Sequence, residues 1–230
     1  MTTTLHLADD ALIAAQRLAE WCSRAPDLEE DIALTNIALD QLGAARLLLS
    51  YAGERESAGR DEDALAFLRD DREYRNCLLV ELPNGDFAVT IAKLLFLSVY
   101  QHLVYGQLAE GDDERLAAIA GKTVKESAYH ADHAARWTVR LGDGTEESHR
   151  RMQAAVDEVW PYTHELFETR PELRDAWLAR VGTVLTEATI TVPTTTWQPT
   201  GGRRGMHTEA LSYLLAEMQV LHRAHPGAQW

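Results

Sequence analysis

Apolar residues recur every three to four positions along nearly the whole chain, which is the period of amphipathic α-helices. Alternating β-type runs are scarce, and no hairpin signal precedes the Thr-, Pro- and Gly-rich stretch at 189–205. The pattern predicts four long helices, at about 8–23, 28–52, 86–110 and 114–141. It also predicts a short helix at about 63–70 and three C-terminal helices at about 145–168, 171–187 and 207–222. Asp86 and Thr145 are predicted N-caps, and Pro161 should kink the helix that contains it.

This arrangement predicts an all-α chain, a four-helix bundle with additional C-terminal helices. No internal repeat or low-complexity tract divides the sequence, so we expect a single domain over residues 1–230. Its core bundle would span about 8–141, and its C-terminal helices about 145–223.

The chain has 230 residues, of which 46% are hydrophobic, and a net charge of −14. That charge disfavours nucleic-acid binding, because attraction to phosphates supplies most of the affinity of such proteins. Two cysteines, no signal-peptide pattern and no uninterrupted apolar run of 18 residues favour a cytoplasmic protein that contacts no membrane.

Two predicted helices break their apolar seam near mid-length, helix two at Gln41 and helix four at Ser127 and His130. Di-iron carboxylate bundles place their ligands at this depth, with one Glu from each of two helices and a Glu-x-x-His pair from each of the others. Here the paired positions hold Gln41 with Ala44 and Ser127 with His130. Most of the ligand groups of such a centre are therefore missing.

The two single-Glu positions of that pattern are expected about 30–35 residues earlier in an antiparallel bundle. Lys93 lies 34 positions before Ser127, and Asp10 lies 31 before Gln41. A buried ammonium requires a carboxylate, so we expect Lys93 to form an internal ion pair. The candidate partners are Asp10, Asp40 and Glu126. The simpler alternatives are that Gln41 and His130 are ordinary hydrogen-bonded core residues and that Lys93 extends from a flank to the solvent.

Several sequence blocks resemble the C-subunit family of the bacterial 1,2-phenylacetyl-CoA epoxidase complexes of aerobic phenylacetate degradation. The blocks are 28–34, 36–40, 67–70, 73–76, 80–88, 125–130 and 213–219. The most specific runs from Tyr74-Arg75-Asn76 to Glu81-Leu82-Pro83-Asn84-Gly85-Asp86-Phe87-Ala88.

The resemblance implies a ferritin-like fold without a working di-iron site. It further implies a structural, non-catalytic subunit with no cofactor of its own. Its partners would be a homologous catalytic A subunit, which holds the di-iron centre, and other subunits that include an NADPH-dependent reductase. The complex would use O2 to epoxidise the ring of phenylacetyl-CoA. Gln41, Ala44 and Ser127 agree with an inactive member, and His130 is the one ligand type that matches.

A structural subunit needs a large interface that is apolar at its centre, and we expect it on helices two and three. The interface candidates are Tyr51, Tyr100 and Tyr105. Arg203 and Arg204 lie in the irregular loop of an acidic chain. They are either surface residues or contacts to an acidic partner or to CoA phosphates.

Two other functions remain open from the sequence. One is an autonomous di-metal carboxylate oxidase with unconventional ligands, which would be Asp10, Asp40, Glu126 and His130. The other is a helical regulatory or storage module that is unrelated to oxygenation. Metal analysis and partner co-purification distinguish them from a structural subunit.

Overall fold

The computed structural model describes residues 2–228, with side chains from residue 4 onward, so Met1, Gln229 and Trp230 of the predicted domain lie outside the described residues. The chain forms two compact units, one of which comprises the residues up to Pro83 and those from Thr200 onward. The other comprises Asn84–Pro199. The predicted all-α class is confirmed.

The first unit is built on two long helices, α1 (Thr2–Ala19) and α2 (Leu28–Arg55), which pack along each other. Asp27 caps α2 by accepting a hydrogen bond from the Glu30 amide at 2.9 Å. Acidic residues in the first turn of α2 complement the positive end of the helix dipole. The buried side of α2 carries an apolar seam that includes Leu34 and Leu48.

Short elements complete the first unit: α3 (Glu62–Phe67), a 3-10 turn (Asp71–Glu73), α4 (Leu78–Glu81), a 3-10 turn (Gly202–Arg204) and α9 (Glu209–Ala224). The turn at 202–204 lies between two glycines with positive φ, Gly201 at 142° and Gly205 at 77°. A Cβ on Gly202 would lie 2.2 Å from the Asn76 carbonyl oxygen. These glycines let the C-terminal segment approach the backbone before α4 closely.

The second unit is built on α5 (Phe87–Ala109) and α6 (Glu114–Gly142), another pair of long packed helices. Asp86 caps α5 through the Val89 amide at 3.1 Å, as predicted. Asp113 caps α6 through the Leu116 amide at 3.0 Å. The four-residue connection between the helices makes them antiparallel neighbours.

The second unit continues with α7 (Glu146–Val159), 3-10 segments (Trp160–Phe167 and Pro171–Leu173) and α8 (Arg174–Glu187). Thr145 caps α7 as predicted, through the Ser148 amide at 3.1 Å. Trp177 lies among Phe96, Trp160 and Phe167 with ring centroids 5.4–5.6 Å apart. Its indole N–H donates to the Phe96 carbonyl at 2.9 Å.

Several predicted helix ends need correction, and three of them show the reasons. The first helix begins at Thr2 and ends at Ala19, before a turn in which Ser23 adopts φ 63°. The helix predicted at 145–168 ends at Val159 and continues as a 3-10 segment, because Pro161 has no N–H for the helical ladder. The last begins at Glu209, two residues later than predicted.

Two helices of the described chain, α2 and α5, are long and apolar enough to span a membrane by length and composition. Within the protein, 83% of the apolar window of α5 is buried, against 44% of that of α2. Core helices of globular proteins meet the same criterion, so cytoplasmic localisation stays a prediction.

Candidate functional site: buried ion pairs of the first unit

Two consecutive carboxylates of α1, Asp9 and Asp10, are completely buried, at 0% and 1% exposure. Successive helical residues point about 100° apart, so each carboxylate requires its own compensating charge. The chain supplies two arginines from distant positions, Arg69 and Arg203.

Asp10 is compensated by Arg203, whose guanidinium reaches both carboxylate oxygens. The Nη1–Oδ1 distance is 2.9 Å and the Nη2–Oδ2 distance is 2.7 Å. Oδ1 also accepts the Cys77 amide at 2.8 Å. Arg203 further donates to the carbonyls of His6 at 3.2 Å and Arg75 at 2.9 Å. Such a paired fork is among the strongest protein hydrogen-bond arrangements.

Asp9 forms the equivalent pair with Arg69. The Arg69 Nη1 lies 3.0 Å from Oδ2, Nη2 donates to Oδ1, and the Arg75 amide donates to Oδ2 at 2.8 Å. The guanidinium also lies 4.2 Å from the ring centroid of Tyr74. Burial by itself lowers the pKa of Arg69, but attraction and hydrogen bonds from Asp9 outweigh it, and the pKa is raised.

A third buried carboxylate, Glu81, receives donors from both sides. The Asn76 side-chain amide and His207 Nδ1 lie 2.9 and 2.8 Å from Oε2, and the Thr208 amide lies 2.6 Å from Oε1. His207 Nε2 lies 3.2 Å from the Tyr74 carbonyl. The His207 ring therefore bridges the Glu81 carboxylate and the Tyr74 carbonyl.

His6 lies beside this network without sharing in it through its ring. The side chain is 4% exposed, and neither ring nitrogen has a hydrogen-bond partner among the described residues. Burial, and then the charges of Arg203 and Arg75, lower the pKa of His6 to about 4. The imidazole is therefore neutral at physiological pH.

The positions predicted to be remnants of a metal site are all buried. In the first unit they are Asp10, Gln41 and Ala44, and in the second they are Lys93, Ser127 and His130. The Ser127 hydroxyl donates to the Val124 carbonyl of its own helix at 3.1 Å. Lys93 is 7% exposed, which contradicts the alternative in which it extends into solvent.

Two of the three carboxylates proposed for Lys93 have other partners. Arg203 compensates Asp10, which corrects that expectation, since a bidentate fork satisfies the carboxylate. Glu126 pairs with Lys122 one helical turn away, at 2.7 Å. The pairing of Lys93 with Asp40 stays a prediction.

The residues present do not fit a di-iron carboxylate centre. Gln41, Ala44 and Ser127 offer no carboxylate or imidazole, and the Asp10 carboxylate is occupied by a guanidinium. Within residues 4–228, no three His, Cys, Asp or Glu side chains are grouped so as to hold a metal ion.

Two sets of predicted contact residues are corrected by their burial. Tyr51, Tyr100 and Tyr105 are 5%, 2% and 0% exposed, so they are core residues of this chain and present no surface to a partner. Tyr100 packs edge-on against Phe167, for example, with ring centroids 5.9 Å apart. Their helical spacing was equally compatible with an inward face.

Arg203 is 6% exposed and committed to Asp10, so the prediction that it meets a partner or CoA phosphates is wrong. Its neighbour Arg204 is exposed and lies 3.4 Å from the Thr200 hydroxyl. For Arg204 alone, the role in partner or phosphate contact stays a prediction.

Comparison with known proteins identifies the family of the chain. The sequence profile described as phenylacetic acid catabolic protein matches residues 1–230. The chain belongs to the phenylacetic acid catabolic protein family. One relative is the C subunit of the 1,2-phenylacetyl-CoA epoxidase of Escherichia coli (strain K12), which is 46% identical over 242 residues. That match covers 99% of this chain and 97% of the relative.

Sequence reasoning on this family member missed the partners of its buried carboxylates. A signal was present, since Asp9 and Asp10 interrupt an otherwise apolar stretch of α1. Two adjacent acids there imply two buried cations. The sequence could not identify these cations as Arg69 and Arg203, because each lies 60 or more positions from its aspartate. The same holds for His207, which lies 126 positions from Glu81.

Proposed function

We propose that this chain is a non-catalytic structural subunit of a 1,2-phenylacetyl-CoA epoxidase complex. In this role it supports a homologous A subunit that carries the di-iron centre, while a reductase supplies electrons from NADPH. The complex uses O2 to epoxidise the aromatic ring of phenylacetyl-CoA. The full-length similarity to the C subunit of such an epoxidase supports the assignment to this complex.

The observation that carries the non-catalytic role is the Arg203–Asp10 pair. At a position where a catalytic bundle would place a metal-binding carboxylate, this chain holds a carboxylate that a guanidinium of the same chain neutralises. A buried guanidinium keeps its charge at all physiological pH values, so it does not yield the carboxylate to a cation by losing a proton. Gln41, Ala44 and Ser127 support the same conclusion.

Reconstitution of the complex tests the proposal. The A-type subunit and the reductase are assayed for NADPH-dependent epoxidation of phenylacetyl-CoA with and without this chain, and the product is detected by mass spectrometry. We expect activity to depend on this chain, and the chain to co-purify with the A-type subunit. Equal turnover without the chain, at equal iron content, would refute the supporting role.

Metal analysis of the separately purified subunits tests the non-catalytic part. We expect iron with the A-type subunit and only a trace with this chain, after expression in iron-supplemented medium. Stoichiometric iron in this chain, with a spectral change on exposure to O2 or peroxide, would instead establish the autonomous oxidase.

A further inference from the structure

The chain has three asparagines, and one of them, Asn84, is followed by glycine. Asparagine is a thermolabile residue, because its side-chain amide is lost when the next backbone nitrogen attacks it. A glycine in the next position favours this attack, since it has no side chain to obstruct ring closure. Asn36 and Asn76 are followed by Ile and Cys, which are bulkier. Asn84 is therefore the asparagine whose neighbour least obstructs the reaction.

The backbone at Asn84 belongs to no helix. Asn84 and Gly85 lie between the end of α4 at Glu81 and the beginning of α5 at Phe87. Gly85 is exposed and has φ 59°, a left-handed conformation that glycine adopts without strain, and Asn84 is half-buried. The peptide group that joins the two residues can therefore rotate without breaking a helical hydrogen-bond ladder.

The other two asparagines are held more firmly. Asn36 is exposed, but it lies within α2, where the helical ladder fixes the amide nitrogen that follows it. Asn76 lies outside the helices, but it is 0% exposed. Its side-chain amide donates to the Cys77 carbonyl at 3.1 Å and to Glu81 Oε2 at 2.9 Å. Of the three, Asn84 combines an irregular backbone with a glycine neighbour.

A hydrogen bond from α5 restrains the Asn84 peptide group. The Thr90 hydroxyl donates to the Asn84 backbone carbonyl at 3.1 Å, and Thr90 is 2% exposed. Ring closure requires this peptide group to rotate, so the hydrogen bond must first open by a local fluctuation. The folded chain should therefore react at Asn84 more slowly than the unfolded chain.

We propose that Asn84 is a site of spontaneous deamidation, at a rate that the Thr90 hydroxyl restrains. The Gly85 backbone nitrogen attacks the Asn84 side-chain Cγ, a C–N bond forms, and ammonia leaves with the proton of the attacking amide. Water then opens the resulting cyclic imide at either carbonyl, which yields aspartate or isoaspartate. Each product adds a negative charge before the Asp86 cap of α5, and isoaspartate also inserts a methylene into the main chain. This inference does not rest on the proposed function.

Ageing of the purified full chain in mildly alkaline buffer tests the site. Trypsin cleaves after Arg75 and Lys93, so Asn76 and Asn84 lie in the same peptide, and fragment ions distinguish them by mass spectrometry. We expect an amide-to-acid mass gain at Asn84 that forms at least about tenfold faster than at Asn36 or Asn76. A protein isoaspartate methyltransferase then detects the isoaspartate product. If Asn84 stays intact while the urea-unfolded chain converts, or if all three asparagines convert equally, the inference is overturned.

Substitutions test the chemistry and the restraint separately. Asn84→Gln should abolish the signal in this peptide, because the longer side chain closes an imide ring far less readily. Thr90→Val removes the hydroxyl and should accelerate the reaction at Asn84 roughly threefold to tenfold, the factor expected for the loss of one hydrogen bond. Thr90→Ser keeps the hydroxyl and is the matched control, with circular dichroism to verify that all variants are folded. A persistent signal in Asn84→Gln, or equal rates in Thr90→Val and Thr90→Ser, would refute the proposal.

Discussion

Removing Arg203 should be among the most destabilising single substitutions in the chain. In Arg203→Ala the Asp10 carboxylate, which is 1% exposed, keeps the Cys77 amide as a donor but loses its compensating charge. Two charge-assisted hydrogen bonds disappear, and two backbone carbonyls lose a donor. Breaking a buried pair in this way costs about 3–5 kcal/mol. The exposed Arg204→Ala control should cost at most about 0.5 kcal/mol.

Urea unfolding followed by circular dichroism measures these free energies, with Asp10→Asn and the double variant completing a cycle. The loss of unfolding free energy in the double variant should be smaller than the sum of the two single losses by at least about 2 kcal/mol. The reason is that the double variant leaves no uncompensated buried charge, whereas each single variant does. If Arg203→Ala does not fold, Arg203→Lys keeps the charge, loses the fork and gives the measurable intermediate. Equal effects of Arg203→Ala and Arg204→Ala, or additive single effects, would refute the reasoning.

Three further predictions concern other parts of the structure and use the same unfolding assay. His207→Phe removes one of the partners of the buried Glu81 carboxylate and leaves the Asn76 and Thr208 donors in place, so it should cost about 1–3 kcal/mol, with His207→Gln milder. The pKa of His6 is lowered from 6.5 to about 4, so the unfolded chain takes up the proton first as the pH falls. Relative to His6→Gln, the natural chain should therefore keep its full free energy of unfolding above pH 6.5 and lose on the order of 1–3 kcal/mol of it by pH 4. Parallel pH profiles of the unfolding free energy in the two proteins would contradict this. In α6, Gly142→Ala would place a Cβ 2.2 Å from the Ala188 carbonyl oxygen and should destabilise the protein. A Cβ at Gly121 meets no atom within 4 Å, so Gly121→Ala should stabilise the protein by about 0.5–1 kcal/mol. A Gly142→Ala variant more stable than Gly121→Ala would refute the packing at Gly142.

The helices were predictable because their signals are local. Apolar spacing, the capping residues Asp86 and Thr145, and the break at Pro161 each act within a few positions of themselves. The predicted ends failed where a competing local effect decided the outcome. At Pro161 the chain changes to a 3-10 segment rather than kinking and continuing as an α-helix.

The candidate site was less predictable because its pairs are distant in sequence. Burial of Gln41, Lys93 and Ser127 followed from their positions in helical seams. The Asp10–Arg203 pair, in contrast, joins residues 193 positions apart. Helical periodicity carries no information about such a pairing, and one irregular loop arginine was as compatible with solvent as with the interior. Helical spacing likewise does not distinguish the inner from the outer side of a helix, which is why Tyr51 and Tyr100 were wrongly predicted at an interface.

The arrangement around Asp10 shows how this chain compensates a buried carboxylate with a residue of its own. A buried carboxylate is tolerated only with a cation, and in a metalloprotein bundle the ion supplies it. Here the cation is the guanidinium of Arg203, which belongs to the chain itself. It lies in a turn between Gly201 and Gly205, whose positive φ angles would strain other residue types. Since the pair also fastens the C-terminal segment to α1, the carboxylate stabilises the fold instead of binding a ligand. This arrangement agrees with the supporting role that we propose, in which the position contributes to the stability of the fold and not to metal binding.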